Sequence, residues 1–144
     1  MDKIIYLNAL EGEFVFDRTI DFKAAMQQNQ ISLGVGASLL LSDAKDIVGM
    51  LFSVNMNCQE EVALQYSVIL TFKVKGWSCE VDESDNESIK LKPEVGKMLD
   101  MAVGFLRGSM FVHTKNSPLE GLTIPVLDLL EVQKNLKIKS PKKK

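Results

Sequence analysis

The chain has 144 residues, 46% of them apolar and 25% charged, which is room for one domain with a real core and excludes intrinsic disorder. No window approaches the ~18 uncharged apolar residues that a membrane span requires, so no integral membrane association is expected. The net charge of −2 hides an asymmetry: residues 134–144 hold six lysines and no acid, so the other 11 basic and 19 acidic residues leave positions 1–133 at −8. Such an acidic body disfavours nucleic acid as a partner and favours a basic polypeptide surface.

The first half reads as strands. Residues 4–16 form a weak strand interrupted at Glu11-Gly12-Glu13, where Gly12 marks a bulge or bend. Residues 31–41 alternate, with Ile31, Leu33, Val35, Ala37, Leu39 and Leu41 on one side. Residues 48–56 and 62–74 repeat the pattern. The polar breaks at 43–46 and 57–61 have hairpin length, so neighbouring strands should be antiparallel. The expected class is α+β, with a four-stranded antiparallel sheet. Its second face holds Ser, Gly, Thr and Asn beside Ile47, Leu51 and Ile69, with few charges. That face should be partly covered, by a helix or by another copy of the sheet.

After Trp77 comes an acidic loop, Asp82 to Glu87. Pro93-Glu94 then suits a helix first turn, and residues 93–114 keep helical periodicity. Val95, Met98, Leu99, Ala102, Val103, Leu106 and Met110 make one stripe. Met101, Phe105 and Val112 make a second. Gly104 and Gly108 permit close backbone approach, although each weakens a helix by about 1 kcal/mol relative to Ala. A helix with two apolar sides implies a second subunit, with Met101, Gly104, Phe105 and Gly108 at the interface. Asn116-Ser117-Pro118 ends this helix. A connection over residues 119–125 leads to a short final helix carrying Val126, Leu127, Leu129, Leu130 and Leu136. One domain is expected over residues 1–137, with a disordered Lys-rich tail over 138–144.

Few residues point to catalysis. His113 is the single histidine, and no motif supplies it with a nucleophile. Cys58 and Cys79 lack a CxxC pair and offer too few ligands for zinc. They form no disulfide framework, and residues 1–5 show no secretory signal, so a reducing cytoplasm is the expected location. Gly34-Val35-Gly36-Ala37-Ser38 lies inside a strand pattern and lacks the Lys-Ser/Thr of a phosphate loop; its small residues suit a close approach of sheets or helices. The acids at 82–87 do not follow EF-hand spacing. The seven methionines suit a core, and also an adaptable binding surface. The expectation is a protein with no enzymatic activity, no metal and no cofactor.

The order of four strands, long helix, connection and short helix resembles the SecB protein-export chaperone family over most of residues 3–137. The similarity is clearest in Ile31-Ser32-Leu33-Gly34-Val35, in the unbroken hairpin Val54 to Leu64, and in Ser117 to Asp128, where leucines precede Pro125. The resemblance implies a homotetramer, a dimer of dimers, that holds unfolded or partly folded polypeptide in apolar grooves without ATP. Leu119, Leu122, Ile124, Leu127 and Leu130 fall near such a groove. It also implies an acidic patch for the SecA translocase motor, matched by Glu13, Asp17 and Glu60. The chain departs from the family in its lysine tail and in Glu94-Val95-Gly96-Lys97, which replaces an aromatic-Pro-aromatic motif. Some members of the wider group hold an antitoxin instead. Two further readings are a non-catalytic α+β domain binding a small ligand in an enclosed pocket, and an adaptor that oligomerises through its second apolar face.

Overall fold

In the computed structural model, which describes residues 4–80, 85–117, 119–120 and 127–139, the chain forms eleven elements. They are β1 (Ile4–Glu11), β2 (Val15–Phe16), α1 (Phe22–Gln27), β3 (Ile31–Leu41), β4 (Ile47–Cys58), β5 (Glu61–Val74), α2 (Trp77–Glu80), α3 (Asn86–Lys90), α4 (Pro93–Thr114), α5 (Leu129–Lys134) and β6 (Lys137–Lys139). The three long alternating stretches become β3, β4 and β5, joined by short turns. Gln59 and Glu60 turn the chain between β4 and β5 with φ of 51° and 75°. Paired left-handed residues match the twist of a tight hairpin.

The sheet has six strands, where the alternation predicts four. Its order is β1-β5-β4-β3-β6, with β2 also on β5. The expected first strand is split. β1 pairs with Val68–Val74 and β2 with Leu64 and Gln65. Gly12 bridges them, and its N–H donates to the Ser67 carbonyl at 2.8 Å. A Cβ at Gly12 would lie 2.5 Å from Ser67 Oγ, so a larger residue at the bend would force that hydroxyl to turn away. A separate register shift at Leu7 lets Tyr6 and Ala9 both point toward the core side.

The second correction lies at the C-terminal end. Lys137–Lys139 pair in parallel with Ser38–Leu40, so order extends two residues into the segment expected as a tail. A Lys-Ile-Lys triplet is too short to show alternation; Ile138 joins the core edge while both lysines stay exposed. Residues 140–144 lie outside the described residues.

Three short helices have only local signals. In α1, Asp21 caps the Ala24 N–H at 3.2 Å, and Phe22 and Ala25 are buried. In α3, Asp85 caps Ser88 at 3.1 Å. The end of the acidic loop is therefore a helix cap, which suits a carboxylate beside free N–H groups. The final helix is α5, Leu129–Lys134, opened by the Asp128 cap on Glu131.

α4 spans the predicted range with Pro93 in its first turn, and its seven-residue stripe is buried. That stripe lies on the face of β4 and β5 formed by Val48, Met50, Phe52, Leu64, Val68 and Phe72, all fully buried. Burying each such side chain contributes roughly 1.5–3 kcal/mol. This packing fixes where the remaining faces point.

Candidate functional site

α5 lies beside β3, and the two elements enclose a groove of about 180 Å³. Val35, Gly36 and Ala37 form one wall; Glu131, Val132 and Asn135 form the other. Three features hold α5 there. Asp128 caps it, Leu136 beyond it is buried in the core, and Gln133 Nε2 donates to the Lys90 carbonyl at 2.6 Å and the Lys92 carbonyl at 3.2 Å. A Cβ at Gly96 would sit 3.0 Å from Gln133 Oε1, so Gly96 admits that glutamine against α4. Among the described residues, β6 covers β3 only at Ser38–Leu40. The groove therefore adjoins the part of the β3 edge, residues 31–37, that has no described strand beside it.

The residues expected near a groove are scattered. Leu119 is 2% exposed and belongs to the core, and Leu127 packs against that core half-buried. Leu130 is 58% exposed on α5. Leu122 and Ile124 lie outside the described residues. Val35, Ala37 and Val132, which do line the groove, read in sequence as ordinary strand and helix positions. Ala37 belongs to the buried core and Val35 and Val132 pack against it, so only the docking of α5 on β3 sets them beside a groove.

Of the three expected acids, Asp17 and Glu60 lie at one end of the sheet, while Glu13 sits farther along, beside the middle of β5 near Ser67. Asp17 donates its N–H to the Ala63 carbonyl at 2.8 Å, next to the turn that carries Glu60. Its carboxylate accepts from Thr19 Oγ1 at 2.6 Å and Thr19 N–H at 2.8 Å, which hold the carboxyl below its ordinary range. Glu13 is exposed between β1 and β2. It overhangs an open concavity of about 340 Å³ lined by Ser53, Asn55, Gln65 and Ser67. Arg18 places a cation within this acidic neighbourhood, 5.4 Å from the centre of the Phe16 ring.

On α4, Met101 is 41% exposed, Gly104 and Gly108 face outward, and Phe105 is half-buried against the core. A Cβ on either glycine would meet nothing within 4 Å. Phe111 and Val112 continue the outward apolar stripe and are mostly exposed. Periodicity alone omitted Phe111, because its exposure depends on where the sheet ends beneath the helix.

His113 joins a long-range cluster. Its Nε2 lies 2.6 Å from Glu11 Oε1, and its ring stacks on Phe14 at 5.0 Å. Tyr66 Oη donates to Glu11 Oε2 at 3.3 Å, and burial pushes the Tyr66 phenol above its ordinary value. The cluster ties β1, its following bend and β5 to the end of α4. No nucleophile stands beside the histidine among these partners. The small glycines of β3 also have a local explanation: Cβ atoms at Gly34 and Gly36 would lie 2.5 Å from Asn55 Oδ1 and 3.3 Å from Ser53 Oγ. Side chains of the neighbouring strand make a close approach there, and Gly36 also lines the groove beside α5.

Among the described residues no three His, Cys, Asp or Glu side chains are grouped to hold a metal, and no helix is long and apolar enough to cross a membrane. No family model and no curated protein matches the chain. The chain is similar to several solved structures. One is a protein of unknown function from Streptococcus agalactiae (TM-score 0.47, 9% identity, covering 85% of this chain and 97% of that one). Another is a SecB-like chaperone from Mycobacterium tuberculosis in complex with a ChAD peptide from the HigA1 antitoxin (TM-score 0.43, 12% identity, covering 87% and 84%).

Proposed function

We propose that the protein is an ATP-independent, SecB-like chaperone that binds non-native polypeptide and performs no chemistry on it. The observation that carries this reading is the groove between α5 and β3, which sets apolar wall residues beside an uncovered stretch of strand edge. An unfolded chain presents apolar side chains and unpaired backbone groups together. A groove next to a strand edge answers both, with little demand on sequence. Leu130 extends the apolar surface outward from α5, and Leu119, Leu122, Ile124 and Leu127 precede it in the sequence. The outward stripe of α4, with its two bare glycines, supports assembly into a homo-oligomer, a dimer of dimers in the proposed form.

Holding is the core of the proposal, and its setting is the cytoplasm. Export would add docking of a SecA-type motor on Glu13, Asp17 and Glu60. Service to one unstable partner, such as an antitoxin, would need no motor. The test is suppression of light scattering when chemically denatured clients are diluted into buffer without ATP. Suppression across unrelated clients supports a general holdase, and suppression for one partner alone supports a dedicated chaperone. Unchanged scattering for every client at saturating protein would sink the proposal. Val132→Asp, which puts a charge in the groove wall, should abolish suppression, and Leu130→Asp, at an exposed position beside it, should weaken suppression while leaving the fold intact.

A further inference from the structure

The sheet face turned away from α4 carries its own apolar surface. The register sets Leu10, Ile69 and Leu51 side by side on β1, β5 and β4. Ile69 lies between the buried Val68 and Leu70, and Leu51 between the buried Met50 and Phe52, so these three point to the opposite side. Leu40 and Ile47 flank them on the same face and are also partly exposed, and Leu10 is 64% exposed. No described element lies over this face.

The margin of the patch is basic. Lys137 and Lys139 pair with Ser38 and Leu40 and so stand on this side, while Ile138 between them turns to the core. Lys73 pairs with Ile47 at the other margin. All three lysines are exposed, and none has an ion-pair partner among the described residues. Among the described residues the face has one acid, Glu13, beyond the uncharged Ser53, Asn55, Gln65 and Ser67 at its far end; Asp43 and Lys45 sit in the adjoining β3–β4 turn. On a chain whose first 133 residues carry −8, a lysine-rimmed apolar patch stands apart.

We propose that this face docks an acidic amphipathic helix of a partner protein, its apolar stripe on Leu10, Ile69 and Leu51 and its carboxylates against Lys73, Lys137 and Lys139. A flat sheet face accepts a helix as a covering layer, and complementary charge fixes orientation and speeds encounter. The surface is separate from the α5–β3 groove, so it serves a partner other than the held client.

The probe is a synthetic fluorescent helix with a leucine stripe flanked by glutamates, and a twin with lysines in place of the glutamates. Anisotropy titration against the full chain should show binding of the acidic peptide only, weakening as salt rises. The triple variant K73E/K137E/K139E should weaken it about tenfold or more, and Leu10→Ser should weaken it independently. These positions are exposed, so thermal melts should stay near the parent. The same variants should leave suppression of client scattering unchanged. Equal binding of both peptides overturns the proposal, as does binding lost through Val132→Asp but untouched by the lysine changes. Two further outcomes overturn it: Leu10→Ser altering the oligomeric state of the free protein, which would make a second copy the occupant, and tighter binding to phosphatidylserine vesicles than to the acidic peptide.

Discussion

The two faces of the sheet are built from the same strands by alternate residues, and they end in opposite conditions. Toward α4, Val48, Met50, Phe52, Val68 and Phe72 are sealed. On the reverse, Leu51 and Ile69, their immediate neighbours in sequence, remain partly exposed. The residue types scarcely differ. What differs is whether a described element covers them, as α4 does on one side. Apolar alternation therefore marks surfaces that must be covered without saying by what.

The comparison is broken most severely by truncation on the sealed face. Phe52→Ala should cost about 3–5 kcal/mol, because the cavity cannot collapse between β4 and α4. Leu51→Ala, one residue away, should cost roughly 1 kcal/mol, since only part of its surface leaves water on folding. Chemical denaturation of both variants checks the pair. Equal losses would mean that the reverse face is as closed as the inner one in solution.

A smaller effect is expected where the faces are joined at their edge. His113→Ala removes the contact with Glu11 and the stack on Phe14. The pair is partly exposed, so solvent screening reduces its worth, and a loss of about 1 kcal/mol is expected. Protection from hydrogen exchange should fall in β1 and the end of α4, and stay unchanged in β4. A uniform fall would show that the cluster supports the whole core instead of the edge.

Acid should act on the turns before the core. Hydrogen bonds from Thr19 hold Asp17 below its ordinary 3.8. The N–H of Ser78, at 2.7 Å, does the same for Asp46. For a depressed carboxyl the stabilisation is complete above the unfolded value, here 3.8, and is lost as pH falls through the lower folded value. Asp46→Asn should therefore flatten the acid limb of a stability–pH profile without moving the neutral plateau's shape. At the alkaline end the sign reverses for Tyr66, whose folded value lies above 10.0 through burial. Its stabilisation is present below 10.0 and is lost as pH rises through the folded value, a limb that Tyr66→Phe should remove. Unaltered profiles in either variant would assign the limbs to other groups.

Legibility in sequence followed the length and regularity of each pattern. β3, β4, β5 and α4 each repeat a period often enough to be read, and the buried stripe of α4 was legible residue by residue. β6 was not, because three residues cannot display a period and two of them are lysines. α1 and α3 rest on the single caps Asp21 and Asp85, which look like ordinary polar loop residues until the following turn is seen. The groove was the least legible feature. Val35 and Val132 are 97 positions apart in the numbering, and they meet only because the buried Leu136, the β6 pairing and the Gln133 bonds to the Lys90 and Lys92 carbonyls hold α5 beside β3. The Glu11–His113 contact, 102 positions apart, left no local trace.

The finest test of the comparison concerns the outward side of α4, the other apolar surface that no described element covers. Ala at Gly104 meets no atom within 4 Å, and a mid-helix Gly→Ala change gains about 1 kcal/mol in helix propensity. In an isolated subunit that gain should appear undiminished as a melting temperature raised by a few degrees. Where another subunit's backbone is packed on the bare glycines, the added methyl instead pushes the helices apart. We expect the second pattern: Gly104→Ala should raise the concentration at which the assembly dissociates in sedimentation, while the dissociated subunit melts higher than the parent. A gain in melting temperature with no change in assembly would leave this stripe of α4 uncovered by another copy, and would move the oligomer interface to the sheet.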